Sequence, residues 1–269
     1  MKQEREMTAA EIDTYQRDGV VLLKGVFTEW IPSLIEGANQ NVAFPSARAL
    51  THQSDAHSGF FFEDFCNWQQ IEAYRRFVLT SSLGRVAAQL MKSTTAQFFH
   101  DHLLHKEACS TVATPWHQDM PYYCVDGQQT VSFWIPLSKR EKSISLKSVA
   151  KSHLLTKEIR PTSWSTAESF YADDSHFMDL PDIENSEWDI KVWGLELGDA
   201  VAFNFKTIHG ANANTLSQLN QTLSFRVVGD DARFIQRPGR TSPNYPDLNQ
   251  KSGERLREDW FPVIYPKKA

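Results

Sequence analysis

The sequence predicts a mainly β fold, a sandwich or barrel, with helices from its first third layered on it. Three observations carry this. Apolar residues recur at helical spacing only up to about residue 92. From about residue 95, short alternating segments follow one another, separated by Gly-Asp, Asn and Ser turns. No linker divides the two regions, so 1–269 reads as a single domain: a helical layer over about 1–94, a β core over about 95–235 and an irregular tail over 236–269.

Taken in order, residues 8–18 read as a short helix, with Thr8 and Glu11 as a capping box and Gly19 as its stop. "VVLLKGVF" (20–27) reads as a strand and 28–41 as a second helix. Between 67 and 92, Ile71, Tyr74, Phe77 and Val78, then Val86, Ala87, Leu90 and Met91, mark two helices broken near Ser81–Gly84. "AQFFHDHLLHKE" then alternates like a strand. "QQTVSFWIPLS" (128–138) is another, with its proline near the end, where a strand tolerates one. "KSISLKSVAKSH", "WDIKVWGLELGDAVAFNFKTIHG" and "NQTLSFRVVGDDARF" continue the series. The stretch 156–188 is long and irregular, which suits either a lid or a surface excursion.

Composition narrows the functional classes. The net charge is −5 and no basic block stands out, so nucleic acid is not an expected partner. No apolar run is long enough to cross a bilayer, and the N-terminus lacks the apolar stretch of a signal peptide. Three cysteines, Cys66, Cys109 and Cys124, without paired spacing fit free thiols in a reducing cytosol, so the expected location is cytoplasmic.

The chemistry gathers at "TPWHQDMPYY". In an extended segment His117 and Asp119 project to the same face, so an imidazole nitrogen and a carboxylate oxygen can reach one metal. His209, just after an alternating strand and before a Gly-Asn turn, is the candidate third ligand. Two histidines and a carboxylate on one side of a cation suit non-haem Fe(II) and leave positions open for cosubstrate and O2. Such oxygenases commonly consume 2-oxoglutarate, whose far carboxylate needs a cation. Arg226 is the candidate, because alternation puts it on one strand face with Thr222 and Ser224, opposite Leu223, Phe225 and Val227. The competing reading pairs Arg226 with Asp230 or Asp231.

"TPWHQDMPYY", "SFWIPLS", "SLKSVAKSH", "LGDAVAFNFKTIHGANANT" and "SFRVVGDDARF", in that order, resemble the phytanoyl-CoA dioxygenase family over most of 14–240. The resemblance implies a double-stranded β-helix (jelly roll), Fe(II), 2-oxoglutarate and O2 as cofactors, and hydroxylation of a small molecule. It implies His117, Asp119 and His209 as metal ligands and catalytic residues, and Arg226, Trp134 and Lys106 as cosubstrate-binding residues. His105 neighbours Lys106. Tyr122 and Tyr123 are candidates for the substrate side, while His100, His102 and His153 read as structural. Two departures stand out. Lys151 replaces the glycine of the family's Gly-Ser-His turn, so that turn is expected to bend without a left-handed residue. Many members place an Arg eleven residues after the distal His, where this chain has Asn220. A metal-dependent isomerase or hydrolase of the cupin type and a non-catalytic jelly-roll binding protein are the alternatives; neither needs a buried Arg facing the metal. The substrate and the oligomeric state are not legible.

Overall fold

Thr8 starts the first helix as its sequence demands. Its hydroxyl accepts from the Glu11 N–H, and its own N–H donates to the Glu11 carboxylate at 2.9 Å, so two orphan donors are satisfied. This helix, α1 (Ala9–Asp18), ends at Gly19, whose φ of 72° closes the last turn. The computed structural model describes residues 5–54, 57–164, 166–172 and 175–266. Further along are α2 (Ile31–Ala43), α3 (Glu72–Thr80) and α4 (Leu83–Met91). The break between α3 and α4 lies at Ser81 and Ser82, where the Ser81 hydroxyl donates to the Phe77 carbonyl and accepts from the Leu83 N–H.

The strands are β1 (Val20–Leu23), β2 (Leu50–His52), β3 (Phe61–Phe65), β4 (Ala96–Lys106), β5 (Thr114–His117), β6 (Val125–Asp126), β7 (Thr130–Pro136), β8 (Leu146–Val149), β9 (Ile190–Val192), β10 (Ala200–Phe203), β11 (His209–Ala211), β12 (Asn220–Val228), β13 (Arg233–Phe234) and β14 (Val263–Tyr265). The main sheet has the order β1-β10-β7-β12-β4-β3-β2, with β14 also paired to β4. A second sheet runs β5-β11-β8-β9, and β13 pairs with β6. Neighbours are antiparallel, and the two sheets together make the jelly roll.

One face of the main sheet forms the core with the helices. Phe98, Leu103, Phe133, Leu223 and Phe225 share a buried cluster with Tyr15, Leu34, Tyr74, Phe77, Val86 and Leu90. Phe225 meets Phe77 at 4.7 Å between ring centroids, and truncating such a side chain costs about 3–5 kcal/mol. The opposite face of the same strands carries Asn220, Thr222, Ser224 and Arg226 on β12 and His100, His102, Leu104 and Lys106 on β4. These residues floor a cavity between the two sheets. The register of β4 against β12 steps at one point: Arg226 lies opposite His100 but Val227 opposite Phe98, leaving Phe99 as an extra residue.

The structure amends five expectations. The strand expected over 20–27 stops at Leu23, and Lys24–Phe27 turn. A 3-10 turn over Thr28–Trp30 precedes α2, which runs on to Ala43. β2 and β3 add to the main sheet from within the helical layer expected over about 1–94, and β14 returns the tail to β4, so 236–269 is not wholly irregular. Lys151 is itself left-handed, with φ 67° and ψ 0°. The turn does not avoid that conformation but imposes it on a lysine. Its N–H donates to the Asp18 carbonyl at 2.7 Å and its carbonyl accepts from Leu154, which fixes the backbone from both sides.

Candidate active site

His117 ends β5 and His209 begins β11, and the two are directly paired across the second sheet. Asp119, two residues after β5, starts a 3-10 turn that swings its carboxylate back between them. His117 Nε2 and His209 Nε2 lie 3.8 and 3.9 Å from Asp119 Oδ1. One donor atom from each residue falls within 4.8 Å of the others, a separation one metal ion can span. The ring orientations suit this. His117 Nδ1 is 2.8 Å from the Pro115 carbonyl and His209 Nδ1 is 2.9 Å from the Thr207 carbonyl. Those acceptors assign the ring proton to Nδ1 and leave the Nε2 lone pairs aimed at the cluster.

Electrostatics favour a cation here. Burial, and then the neighbouring His209, push His117 down to about 3, and burial also lowers His209, so both rings are neutral ligands at pH 7. Burial alone would raise Asp119. Arg226, His209, His117 and a 2.9 Å hydrogen bond from Ser132 outweigh it and hold the carboxyl below the usual range. The donor set therefore fits a divalent ion of the first transition row, and Fe(II) in particular.

The cavity beside the cluster measures about 240 Å³. Of the residues expected at the site, Trp134, Lys106 and Arg226 line it, as do Tyr122 and Tyr123. Arg226 sits at the metal end. Its Nε donates to the Tyr123 hydroxyl at 2.7 Å and lies 3.5 Å from Asp119 Oδ2, while its Nη1 has no partner. Asp230 and Asp231 are engaged elsewhere, with Thr94 and Thr95 and with the backbone of 128 and 129. His100 and His102 also face the cavity. His105 points the other way, to Gln221 and Phe60. His153 packs against Gly19, where a Cβ would lie 2.3 Å from its ring, a structural role as expected.

Sequence reasoning missed several lining residues. Glu63 on β3 is buried, and its oxygens meet His52 Nε2 at 2.9 Å and His102 Nε2 at 3.0 Å. Burial works against its ionisation, but the two imidazoles prevail and bring it to about 2. Trp164 and Phe170, from the long 156–188 stretch, also line the cavity, with Trp164 5.0 Å from the His117 ring. The indifferent composition around Glu63 offered no signal. For Trp164, the aromatic content of an otherwise polar loop was the available hint.

The phytanoyl-CoA dioxygenase (PhyH) family model matches residues 15–219. The chain belongs to the phytanoyl-CoA dioxygenase family. Iron, 2-oxoglutarate and O2 are the cofactors of phytanoyl-CoA dioxygenases, and the His117–Asp119–His209 cluster has the donors to fit them. No curated protein matches the sequence. Solved structures share the fold. The non-haem alpha-ketoglutarate-dependent carbocyclase SnoK of nogalamycin biosynthesis is 20% identical, with 96% of each chain covered and a TM-score of 0.74. The epimerase SnoN, solved with Fe3+, alpha-ketoglutarate and nogalamycin RO, is 18% identical, with 95% of this chain and 97% of that one covered and a TM-score of 0.75. EctD from S. alaskensis, in its apoform, is 16% identical over 83% of this chain and 77% of that one, with a TM-score of 0.63. No helix among the described residues is long and apolar enough to cross a membrane.

Proposed function

We propose that this phytanoyl-CoA dioxygenase family member is an Fe(II)- and 2-oxoglutarate-dependent oxygenase that hydroxylates a small molecule. The observation that carries the reading is the buried His117–Asp119–His209 cluster opening onto a cavity that also contains buried cations. Bound iron supplies the oxidising chemistry, in which 2-oxoglutarate and O2 are consumed and succinate and CO2 released. The chain's own residues bind, orient and exclude water. His117, Asp119 and His209 hold the metal, with Nδ1–H bonds fixing both rings. Arg226, the cation expected from sequence to take the far carboxylate of 2-oxoglutarate, has its guanidinium against Asp119. In this reading it braces the metal-binding carboxylate and presents Nη1 to the metal end of the cavity. Trp134 forms the wall along which the cosubstrate lies.

The substrate side is built from Leu50, Phe65, Tyr122, Trp164 and Phe170, with the Thr162, Ser163 and Ser242 hydroxyls among them. Such a wall suits a compact, partly apolar molecule. The 156–188 stretch closes this side and acts as a lid in our reading. A carbocyclase and an epimerase share the fold, so the fate of the substrate after oxidation is the finer part of the proposal.

The test is succinate release from 2-oxoglutarate by the Fe(II)-loaded protein, stimulated by members of a metabolite library, followed by mass spectrometry under isotopically labelled O2. Substrate-stimulated succinate and labelled oxygen in the product are expected. Succinate without product oxygen would replace hydroxylation by another oxidation. No succinate with any library member, from protein that binds metal, would sink the oxygenase reading.

A further inference from the structure

We propose that His102, oriented by Glu63, is a specificity-determining residue that accepts a hydrogen bond from a hydroxyl group of the substrate, while Ser224 donates one to the same oxygen. The substrate is accordingly a neutral alcohol. This rests on the reading above, in which the metal and 2-oxoglutarate share the cavity with a small molecule, and it names the chemical class that the remaining wall selects.

Glu63 is only 3% exposed, yet it is ionised, because His102 and His52 outweigh its burial. A carboxylate only accepts. His102 Nε2, 3.0 Å from one oxygen, and His52 Nε2, 2.9 Å from the other, therefore both carry hydrogen. Burial, only partly opposed by Glu63, lowers His102, so its ring is neutral at pH 7. A neutral imidazole protonated on Nε2 has a lone pair on Nδ1. That nitrogen bonds nothing among the described residues. Phe65 stacks on the ring with 4.0 Å between centroids, which fixes its plane as well. His102 thus presents an acceptor of set position to the cavity it lines.

The adjoining floor supplies unmet polar atoms. Ser224 lies directly opposite His102, and Arg226 directly opposite His100, on the same face of the sheet. Side chains so placed stand about 5 Å apart at Cβ. Ser224 Oγ, Arg226 Nη1 and His100 Nδ1 are all buried without a hydrogen-bond partner. Three such atoms on two successive rungs are unfavourable unless a ligand meets them.

The mixture of donors and acceptors picks the ligand group. A carboxylate or an ether oxygen only accepts, and leaves His102 Nδ1 unmet. An ammonium only donates; it leaves Arg226 Nη1 unmet and is repelled by the guanidinium charge. A hydroxyl does both, donating to His102 and accepting from Ser224. His102 is two residues along β4 from His100, about 7 Å, and His100 shares a rung with Arg226, whose Nε is 3.5 Å from Asp119. A hydroxyl held at His102 is therefore a handle set back from the metal cluster, and a carbon nearer the cluster is the one presented for reaction. Leu50, Phe65 and Phe170 line the same cavity and suit the hydrocarbon part of such a molecule.

The experiment uses Zn(II)-loaded protein with 2-oxoglutarate and four fragments that share a six-membered ring and differ in one group: cyclohexanol, methoxycyclohexane, cyclohexylammonium and cyclohexanecarboxylate. Nitrogen-15 NMR of labelled histidines reads the tautomer, with His102 identified by its contact with the Phe65 ring, and titration reads affinity. At pH 7 His102 is expected to carry its hydrogen on Nε2. Cyclohexanol should shift the Nδ1 resonance and bind about fivefold more tightly than each of the other three, the net contribution of one neutral hydrogen bond. Ser224→Ala and His102→Leu should remove that preference. His102→Asn, whose amide oxygen can stand in the place of Nδ1, should restore part of it. Circular dichroism checks each fold, and Ser224→Ala carries the test if the His102 variants do not fold. A hydrogen on Nδ1, no response to cyclohexanol, or equal binding of cyclohexanol and methoxycyclohexane overturns the alcohol reading alone. So does tightest binding by the ammonium or the carboxylate fragment, or a preference that survives in every folded variant. Failure of the Zn(II)-loaded protein to bind 2-oxoglutarate overturns the oxygenase reading and the substrate class with it.

Discussion

Replacing Arg226 by Met separates the stability of the metal site from its chemistry. The side chain is buried, with Nε 3.5 Å from Asp119 Oδ2 and 2.7 Å from the Tyr123 hydroxyl. Methionine refills most of the stem but supplies no charge. Asp119 is then a buried carboxylate left with neutral donors, among them the Ser132 hydroxyl at 2.9 Å. Removing one partner of a buried pair costs about 3–5 kcal/mol, most of it the stranded charge. A chain of 269 residues unfolds with an entropy of roughly 0.6 kcal/mol per kelvin near 60 °C. The metal-free variant should therefore melt about 5–9 °C below wild type. A divalent cation on His117, Asp119 and His209 supplies the missing charge, so saturating Mn(II) should erase most of that gap. The assay is calorimetry of both proteins with chelator and with Mn(II). An equal deficit in the two conditions would show that Arg226 is a packing residue. No deficit in either would refute the argument that it neutralises Asp119.

Further outcomes follow from other contacts. His209→Ala should weaken Mn(II) or Fe(II) binding by more than the roughly 10–100-fold typical of losing an outer-shell partner, with circular dichroism unchanged; retained affinity would mean the cluster is not the metal site. Glu63 is lowered from 4.5 to about 2, so its contribution of about 3 kcal/mol is present above pH 4.5 and lost as pH falls to about 2. Urea titrations of Glu63→Gln and wild type should accordingly differ at pH 7 and converge near pH 2, and a gap independent of pH would contradict the ion-pair account. Lys151→Gly should gain roughly 0.5–1 kcal/mol by relieving the left-handed backbone, measured as a higher urea midpoint; a lower midpoint would point to a lost Lys151 contact. Trp164→Ala should raise the KM for substrate while leaving Mn(II) affinity within about fivefold, since an edge-on ring contact contributes only about 1 kcal/mol.

Much of this architecture was readable because period and chemistry coincide along the chain. In 222–227 the alternation of Thr222, Ser224 and Arg226 with Leu223, Phe225 and Val227 gave both a strand and its two faces, and the folded chain keeps them so. His117 and Asp119 were legible as a pair through their spacing, and His209 through its place before a Gly-Asn turn. What stayed hidden depends on distant partners. β3 contains Glu63 and Asp64 in mid-strand, a pattern that local alternation reads as exposed. Both are buried because His52, His102, Asn41 and Ser46 satisfy them from other elements. Arg140 sits in "SKREKS", where two lysines and a glutamate suggest a solvated turn. Its burial follows from backbone pairing with Leu195 and contacts to Gln221 and Thr222, which sequence spacing does not encode. The left-handed Lys151 was missed for a similar reason: tertiary hydrogen bonds, not residue preference, decide that backbone.

The extra residue at Phe99 sets the phase of β4. Before it, Phe98 belongs to the core with the helices; after it, His100, His102, Leu104 and Lys106 all face the cavity, while Phe99 joins a separate cluster with Tyr123 and Phe205. Deleting Phe99 itself would restore a regular ladder with both faces kept, but a one-residue deletion between His100 and Lys106 would turn the titratable side chains on one side of it toward the hydrocarbon core. From His100 to Lys106 β4 therefore does not tolerate a change of length, and β12, paired with β4 at nine positions, inherits the same limit. Length variation that reshapes the cavity has to enter through the connections, such as the one that carries Thr162, Trp164 and Phe170 to the cavity wall. Anyone redesigning this protein for a new substrate would do best to graft loops and leave the strand count of every floor residue as it stands.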